Sequence, residues 1–178
     1  MENEKLYEEQ YRLGEKYLME GDYEKAYNQF IELDKLDVDY TMNARFRLGQ
    51  MYYYGSYVER DWEKAFNYFT NTIHPEAIYF LGLMYYNGDY VEKDYQKAYE
   101  CFERLEGHSI NAEYMIGKMY CYGYYVEKNI EKARKIFNWL VEKHQDKRAK
   151  HMLEMIKYFE DGTIPSDRNI LLIFRKEI

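Results

Sequence analysis

Residues 44–69 read ARFRLGQMYYYGSYVERDWEKAFNYF, and this stretch returns twice with the same internal spacing. Residues 77–102 read AIYFLGLMYYNGDYVEKDYQKAYECF, and residues 112–137 read AEYMIGKMYCYGYYVEKNIEKARKIF. Eleven positions carry the same or a closely similar residue in all three copies. The glycine that sets the register is Gly49, Gly82 and Gly117. Self-similarity at a period of 33 to 35 residues is typical of stacked structural repeats.

Each copy predicts two helices joined by a loop. Ala44, Leu48 and Met51 recur three or four residues apart, which places their side chains on one face of the first helix. Asp61 stands where the second helix begins, and its carboxylate can accept a hydrogen bond from a first-turn N–H. The equivalent N-cap positions are Asp94 and Asn129.

Partial copies flank the three full ones. The preceding copy lacks the loop insertion, and its matched residues are Leu13, Gly14, Tyr17, Gly21, Tyr23, Ala26 and Phe30. A last half-copy begins at Ala149. We expect one domain over 1–178, with repeats over about 6–38, 41–73, 75–107 and 109–144 and a capping half-repeat and tail over 146–178.

Charge and composition exclude several classes of protein. The 178 residues include 25 basic and 32 acidic side chains, for a net charge of −7, which disfavours binding to phosphate backbones. No apolar run approaches the ~20 residues that span a membrane, and the charged N-terminus does not resemble a secretory signal. We therefore expect a cytoplasmic protein that binds neither nucleic acid nor membrane. Export as an effector, by a route without a classical signal, stays open.

The three full copies resemble the Sel-one-like repeat (SLR) family, a branch of the tetratricopeptide superfamily. The family pattern Ala-x3-Leu-Gly-x2-Tyr-x2-Gly-x-Gly-Val-x2-Asp-x2-Lys-Ala is matched across roughly 44–144, and the copy at about 6–38 is closer to a plain tetratricopeptide unit. The resemblance implies an all-α, right-handed superhelical solenoid of about eleven helices. It also implies a non-enzymatic adaptor or scaffold.

One departure from the family pattern is systematic. The second loop glycine of the family is replaced by Tyr57, Tyr90 and Tyr125. Because tyrosine disfavours a positive φ that glycine accepts freely, we expect the loop to follow a different path. The substitution also predicts a row of three tyrosines along one edge of the array.

Analogy with tetratricopeptide units places a ligand groove on the first helices of the repeats. Counting from the repeat glycine, the candidate peptide-binding residues of this concave face are Tyr11, Asn43, Phe46, Tyr53, Glu76, Tyr79, Tyr86, Asn111, Tyr114 and Tyr122. Tyrosine offers large contact area with few rotors to freeze, asparagine can pair with a peptide backbone, and glutamate favours a basic partner.

This pattern predicts binding of an extended, neutral or basic peptide. The aromatic ladder of Tyr11, Phe46, Tyr79 and Tyr114 is equally compatible with packing in the core. Leu48, Tyr52 and Phe69 are expected to be core residues.

No motif for catalysis or metal binding is present. The four histidines lack metal-ligand spacing, and no phosphate-binding loop or nucleophile motif occurs. We therefore expect no enzyme, no cofactor and no metal site. His74 and His108 fall near the ends of predicted second helices, where a cation is favourable against the helix dipole.

The tail and two other functions remain as alternatives. The apolar run 170–174 predicts a capping helix over 166–176 or a strand that pairs with another chain. The second hypothesis is a self-associating structural repeat protein, a homodimer formed through this tail or the tyrosine edge. A third is a penicillin-binding activity known from a cysteine-rich branch of the family, whose cysteine pairs these repeats lack.

Overall fold

A computed structural model describes residues 2–36 and 41–161, and over those ranges the chain is all α-helical. The helices are α1 (Glu2–Glu20), α2 (Tyr23–Asp34), α3 (Met42–Tyr54), α4 (Trp62–Thr70), α5 (Pro75–Asn87), α6 (Tyr95–Glu103), α7 (Ile110–Tyr122), α8 (Ile130–His144) and α9 (Lys147–Asp161). The predicted fold class is confirmed, as a series of helix-turn-helix repeats. These ranges hold nine helices rather than about eleven, and the alternatives for 166–176 lie outside them.

The chain groups into two compact units, Met1–Cys101 and Phe102–Ile178, each with its own buried residues. In the first unit the core consists of Ala26, Phe30, Leu33, Ala44, Phe46, Leu48, Met51, Tyr52, Ala65, Phe69, Ala77, Phe80 and Met84. In the second unit the main cluster consists of Cys121, Ala133, Phe137, Leu140, Ala149, Met152, Met155 and Ile156. The prediction that Leu48, Tyr52 and Phe69 are core residues is confirmed.

The repeat glycine lets the two helices of a repeat approach closely. A Cβ atom added at Gly49 would lie 2.6 Å from Cε1 of Phe69 on the second helix. At Gly117 the equivalent distance to Phe137 is 2.7 Å. A side chain fits at this position only if the phenylalanine ring moves, because that ring already rests against the helix backbone.

The predicted helix starts are confirmed. Oδ1 of Asp61 accepts a hydrogen bond of 2.9 Å from the backbone N–H of Lys64. Oδ1 of Asp94 accepts one of 3.0 Å from Lys97, and Oδ1 of Asn129 accepts one of 2.9 Å from Lys132. Each cap satisfies one of the N–H groups that a helix start leaves without an intrahelical partner.

The expectation that tyrosine would keep the loop out of the left-handed region is wrong. Tyr57, Tyr90 and Tyr125 have φ values of 68°, 66° and 64°. The loop is fixed at both ends, because Gly55 donates to the carbonyl of Met51 and Asp61 donates to that of Tyr52. Between two fixed ends, closure of the chain decides the backbone angles, and the tyrosine adopts the angle that a glycine would adopt more easily.

Candidate protein-interaction surface

The first helices of the first unit lie side by side. Nε and Nη2 of Arg47 on α3 donate to the two carboxylate oxygens of Glu15 on α1, both at 2.7 Å. Further along α3, the ring of Tyr53 lies 5.4 Å from that of Phe80 on α5. We call the surface formed by Tyr11, Glu15, Arg47, Tyr53, Tyr54 and Tyr79 the first-helix face.

An ion pair that the sequence did not predict lies on this face. Besides its fork to Glu15, Arg47 donates from Nη1 to Oε1 of Gln50 at 2.8 Å. Tyr11 lies beside the pair with its ring 5.7 Å from Phe30, and burial, followed by the charge of Glu15, raises the pKa of Tyr11. Glu15 and Gln50 directly follow the repeat glycines Gly14 and Gly49, whereas Arg47 lies two residues before Gly49, so the repeat register does not place the pair together.

Two neighbouring tyrosines end α3 and rest on Phe80. The hydroxyl of Tyr53 donates to Oδ2 of Asp89 at 3.2 Å, and burial, followed by that charge, raises the pKa of Tyr53. Tyr54 lies 5.9 Å from Phe80, yet 60% of it is exposed. Tyr53 is therefore held in place by its own chain, whereas Tyr54 offers most of its surface to a partner.

Phe46 is the candidate that the structure places inside the core. It is only 1% exposed, and its ring stacks on His74 with centroids 4.0 Å apart and planes 3° apart. Phe80 from the next repeat covers it at 5.9 Å. Phe46 is therefore a core residue and not part of a ligand groove.

His74 has a different role from the one its position suggested. It is the N-cap of α5, where its Nδ1 accepts a hydrogen bond of 3.2 Å from the backbone N–H of Glu76. Burial lowers the pKa of His74. Both observations favour a neutral ring, so the interpretation as a cation at the end of a second helix is wrong for His74. Pro75 occupies the first turn of α5, where its missing N–H leaves no intrahelical hydrogen bond unmade.

The other candidates of the first unit divide by exposure. Tyr79 and Tyr86 are half-buried, with Tyr79 5.7 Å from Phe80 and Tyr86 5.4 Å from Tyr95. Asn43 and Glu76 are exposed, near the starts of α3 and α5. The amide and the carboxylate therefore lie at helix starts, and the tyrosines lie further along the same helices.

In the second unit, the ladder tyrosine already contacts a cation. The guanidinium of Arg148 lies 4.7 Å from the ring centroid of Tyr114, whose ring also lies 5.8 Å from that of Phe137. Asn111 is exposed on the same helix, and half-buried Tyr122 stacks on Tyr124 at 5.5 Å.

A cleft of the first unit lies between α3 and α4 and has a volume of about 540 Å³. It is lined by Arg45, Tyr52, Lys64, Asn67, Tyr68 and Asn71. Arg45 and Tyr68 both bind Asp34 of α2, at 2.7 and 3.2 Å. The sequence did not indicate this cleft, because four of its six lining residues stand at positions that differ between the repeats.

Within residues 2–36 and 41–161, no group of three or more histidine, cysteine, aspartate or glutamate side chains is arranged to hold a metal ion. None of the helices in the described part of the chain is both long and apolar enough to cross a membrane.

Comparisons with known proteins agree with the helical repeats. A solved Sel1 repeat protein from Oxalobacter formigenes is 26% identical, with a TM-score of 0.53, and the match covers 68% of this chain and 91% of that one. The match to c5321, a protective antigen of uropathogenic Escherichia coli with an SLR fold, has 23% identity and a TM-score of 0.70. It covers 91% of this chain but only 36% of c5321, and that likeness concerns the fold alone.

No curated protein matches the sequence significantly. The profile of the Sel1 repeat matches residues 10–29, 43–71, 75–105 and 110–138, each inside one predicted repeat. Because these matches together cover more than half of the residues, the chain belongs to the Sel1 repeat family.

Proposed function

We propose that this chain is a non-enzymatic scaffold that binds an extended, neutral or basic segment of another protein along its first-helix face. Sel1 repeat proteins are generally scaffolds for protein–protein interactions. The observation that carries the proposal is the row of partly exposed tyrosines on α1, α3 and α5. Their rings are supported by core phenylalanines, as in the contact of Tyr11 with Phe30 and those of Tyr53 and Tyr54 with Phe80.

Preorganised tyrosines suit the binding of a flexible segment. A ring that already rests on the core loses little conformational freedom when a partner covers it, so more of the contact energy appears as affinity. Tyr54, 60% exposed, has the largest free surface among these tyrosines. In the first unit the proposed contacts are Tyr11, Tyr53, Tyr54, Tyr79 and Tyr86, with Asn43 and Glu76 as polar contacts. Phe46 is left out because it is buried.

The preference for basic residues rests on charge and on one contact within the chain. The net charge is −7, and Glu76 is exposed on α5. In the second unit Arg148 lies over Tyr114 at 4.7 Å, which is the contact that a partner arginine would make with a tyrosine of this series. Asn111, Tyr114 and Tyr122 are the proposed contacts of the second unit.

Selection from a displayed library of random twelve-residue peptides tests the proposal. The full chain is immobilised, and the enriched peptides are measured by fluorescence anisotropy against wild type and Tyr54→Ser/Tyr79→Ser. We expect enrichment of neutral and basic sequences, and a loss of affinity of about tenfold or more in the double variant, as for truncation of interface aromatics.

The matched control is Tyr23→Ser on α2, where the tyrosine is 47% exposed and lies outside the first-helix face. Circular dichroism checks that all variants keep their helicity. The first-helix face would be refuted as the site if the enriched peptides bound wild type and Tyr54→Ser/Tyr79→Ser with equal affinity. It would also be refuted if only Tyr23→Ser reduced their affinity.

A further inference from the structure

The loop tyrosines of the first unit build the same arrangement twice, at the edge where each loop meets the preceding second helix. The ring of Tyr57 lies 5.6 Å from that of Tyr27 at an interplanar angle of 51°, and the ring of Tyr90 lies 5.7 Å from that of Phe66 at 53°. Each tyrosine hydroxyl donates to a glutamate of that helix: Tyr57 to Oε1 of Glu24 at 3.4 Å, and Tyr90 to Oε1 of Glu63 at 3.1 Å. The first edge site consists of Glu24, Tyr27 and Tyr57, and the second edge site of Glu63, Phe66 and Tyr90.

Within the described ranges, neither edge-site carboxylate is paired with a cation. Among the described residues, no lysine or arginine forms an ion pair with Glu24 or Glu63, although each precedes a lysine in the sequence. Instead, Lys25 forms an ion pair with Asp22 at 2.6 Å, and Lys64 forms one with Asp61 at 3.3 Å. Glu24 and Glu63 are exposed, so their negative charge is available to a partner.

The aromatic faces of the edge sites also have no cation over them in the described part of the chain, which sets them apart from other rings there. Lysines lie over several tyrosines of the first helices, as Lys64 does over Tyr52 at 5.0 Å and Lys97 over Tyr85 at 5.3 Å. Within the described ranges, no such cation lies over any of the four edge-site rings. Tyr57 and Tyr90 are 52% and 51% exposed.

A cation near such a site gains two favourable interactions at once. The face of an aromatic ring attracts lysine and arginine through its quadrupole, and a nearby carboxylate adds direct charge attraction. Both loop tyrosines also occupy a left-handed backbone conformation that glycine adopts at lower cost. The chain therefore has an aromatic residue at two positions where the backbone conformation alone would favour glycine.

We propose that the two edge sites together bind two cationic side chains, lysine or arginine, of an extended segment from a partner protein. This surface is separate from the first-helix face and does not depend on it. Helices α2 and α4 are joined by the hydrogen bond from Tyr68 to Asp34. Packed helices lie roughly 8–10 Å apart, and an extended chain in the polyproline II form advances about 3.1 Å per residue and presents every third side chain on the same side. Cationic side chains about three residues apart therefore match the spacing.

A defined peptide series tests the charge requirement. Labelled ten-residue peptides of glycine and serine carry two arginines three positions apart, one arginine, or two citrullines. Fluorescence anisotropy measures their affinity for the full chain at about 0.15 M salt, where the Debye length is about 8 Å. We expect the two-arginine peptide to bind most tightly and the citrulline peptide not to bind. The double variant Glu24→Gln/Glu63→Gln is expected to bind the two-arginine peptide with about tenfold lower affinity than wild type.

The matched control is Glu59→Gln/Glu92→Gln. These exposed glutamates lie two residues beyond Tyr57 and Tyr90, so the net charge changes by the same amount in the same loops. We expect this variant to bind within about twofold of wild type, since exposed charges contribute little at a distance. Equal weakening in both double variants would mean unspecific charge attraction and would overturn the proposal.

Substitution of the tyrosines separates ring contact from folding. Tyr57→Gly/Tyr90→Gly removes both rings at positions whose backbone suits glycine, so the fold is expected to persist while binding of the two-arginine peptide is lost. Tyr57→Phe/Tyr90→Phe keeps the rings and removes the hydroxyls, and binding is expected to stay within about threefold. Unchanged binding by the glycine variant, with helicity intact, would refute a role for the rings. The first-helix variant Tyr54→Ser/Tyr79→Ser is expected to bind this peptide like wild type, and a comparable loss there would place the peptide on the other face.

Discussion

Replacing Gly49 with alanine adds a single methyl group at the tightest helix contact of the second repeat. The new Cβ would lie 2.6 Å from Cε1 and 2.9 Å from Cδ1 of Phe69, which is closer than real Cβ contacts occur. Phe69 is 1% exposed and stacks on Phe80 with centroids 4.9 Å apart, so its ring has no free space on that side. The substitution therefore forces two aromatic rings of the core to shift.

The expected magnitude is the difference of two opposing effects. Overpacking a well-filled core costs about 1–3 kcal/mol, whereas alanine in place of a helical glycine contributes about 1 kcal/mol through helix propensity. Because the 2.6 Å contact is far below the 3.0 Å limit of real Cβ contacts, we place the overpacking cost in the upper half of its range, about 2–3 kcal/mol, and expect Gly49→Ala to lower the free energy of unfolding by about 1–2 kcal/mol. In a position without the phenylalanine contact, the same substitution would instead stabilise the helix.

Urea denaturation followed by circular dichroism measures the change. Asn43→Ala, an exposed substitution on the same helix, is the control and is expected to stay within about 0.5 kcal/mol of wild type. Phe69→Leu in the Gly49→Ala background frees space for the new methyl group. The double variant is therefore expected to lose less free energy of unfolding than the two single variants lose together. A Gly49→Ala protein as stable as wild type, or more stable, would show that the ring yields easily and that the contact does not determine the packing.

Two further predictions concern a helix cap and alkaline pH. Asn129→Ala removes the side-chain acceptor at the start of α8 and is expected to cost about 1 kcal/mol in urea denaturation, whereas Asn138→Ala on the exposed surface of α8 should cost nothing. Burial, followed by the charge of Asp34, raises the pKa of Tyr68 above its ordinary value of 10.0. The folded chain then holds this proton more tightly than the unfolded chain, so stability is complete below about pH 10 and falls as the pH rises further. Tyr68→Phe is expected to reduce this fall in thermal melts at increasing pH, and an unchanged fall would contradict the assignment.

Features set by a few neighbouring residues could be predicted from the sequence. The N-caps at Asp61, Asp94 and Asn129 depend on one side chain and the N–H three residues later, and the structure has all three. The core position of Phe69 follows from helical periodicity and is likewise confirmed. The repeated register made both kinds of prediction stronger, because each was seen in several copies.

Features that depend on the next repeat could not be predicted. Phe46 shares its register position with half-buried tyrosines, yet His74 and Phe80 cover it completely. The loop tyrosines were expected to avoid a positive φ, but closure of the loop overrides the local preference of the residue. The ion pair of Glu15 with Arg47 joins two helices at different register positions, and the repeat pattern does not encode such a pair.

The contacts between glycine and phenylalanine have a consequence for how quickly the chain folds. Gly14 and Phe30 are sixteen residues apart in sequence, and Gly49 and Phe69 are twenty apart. A short loop closes within tens to hundreds of nanoseconds, so each helix pair can form its tightest contact without waiting for distant parts of the chain. Proteins rich in such local contacts fold in microseconds to milliseconds. Rapid-mixing experiments on this protein are therefore expected to find the first helical signal within the dead time of the instrument.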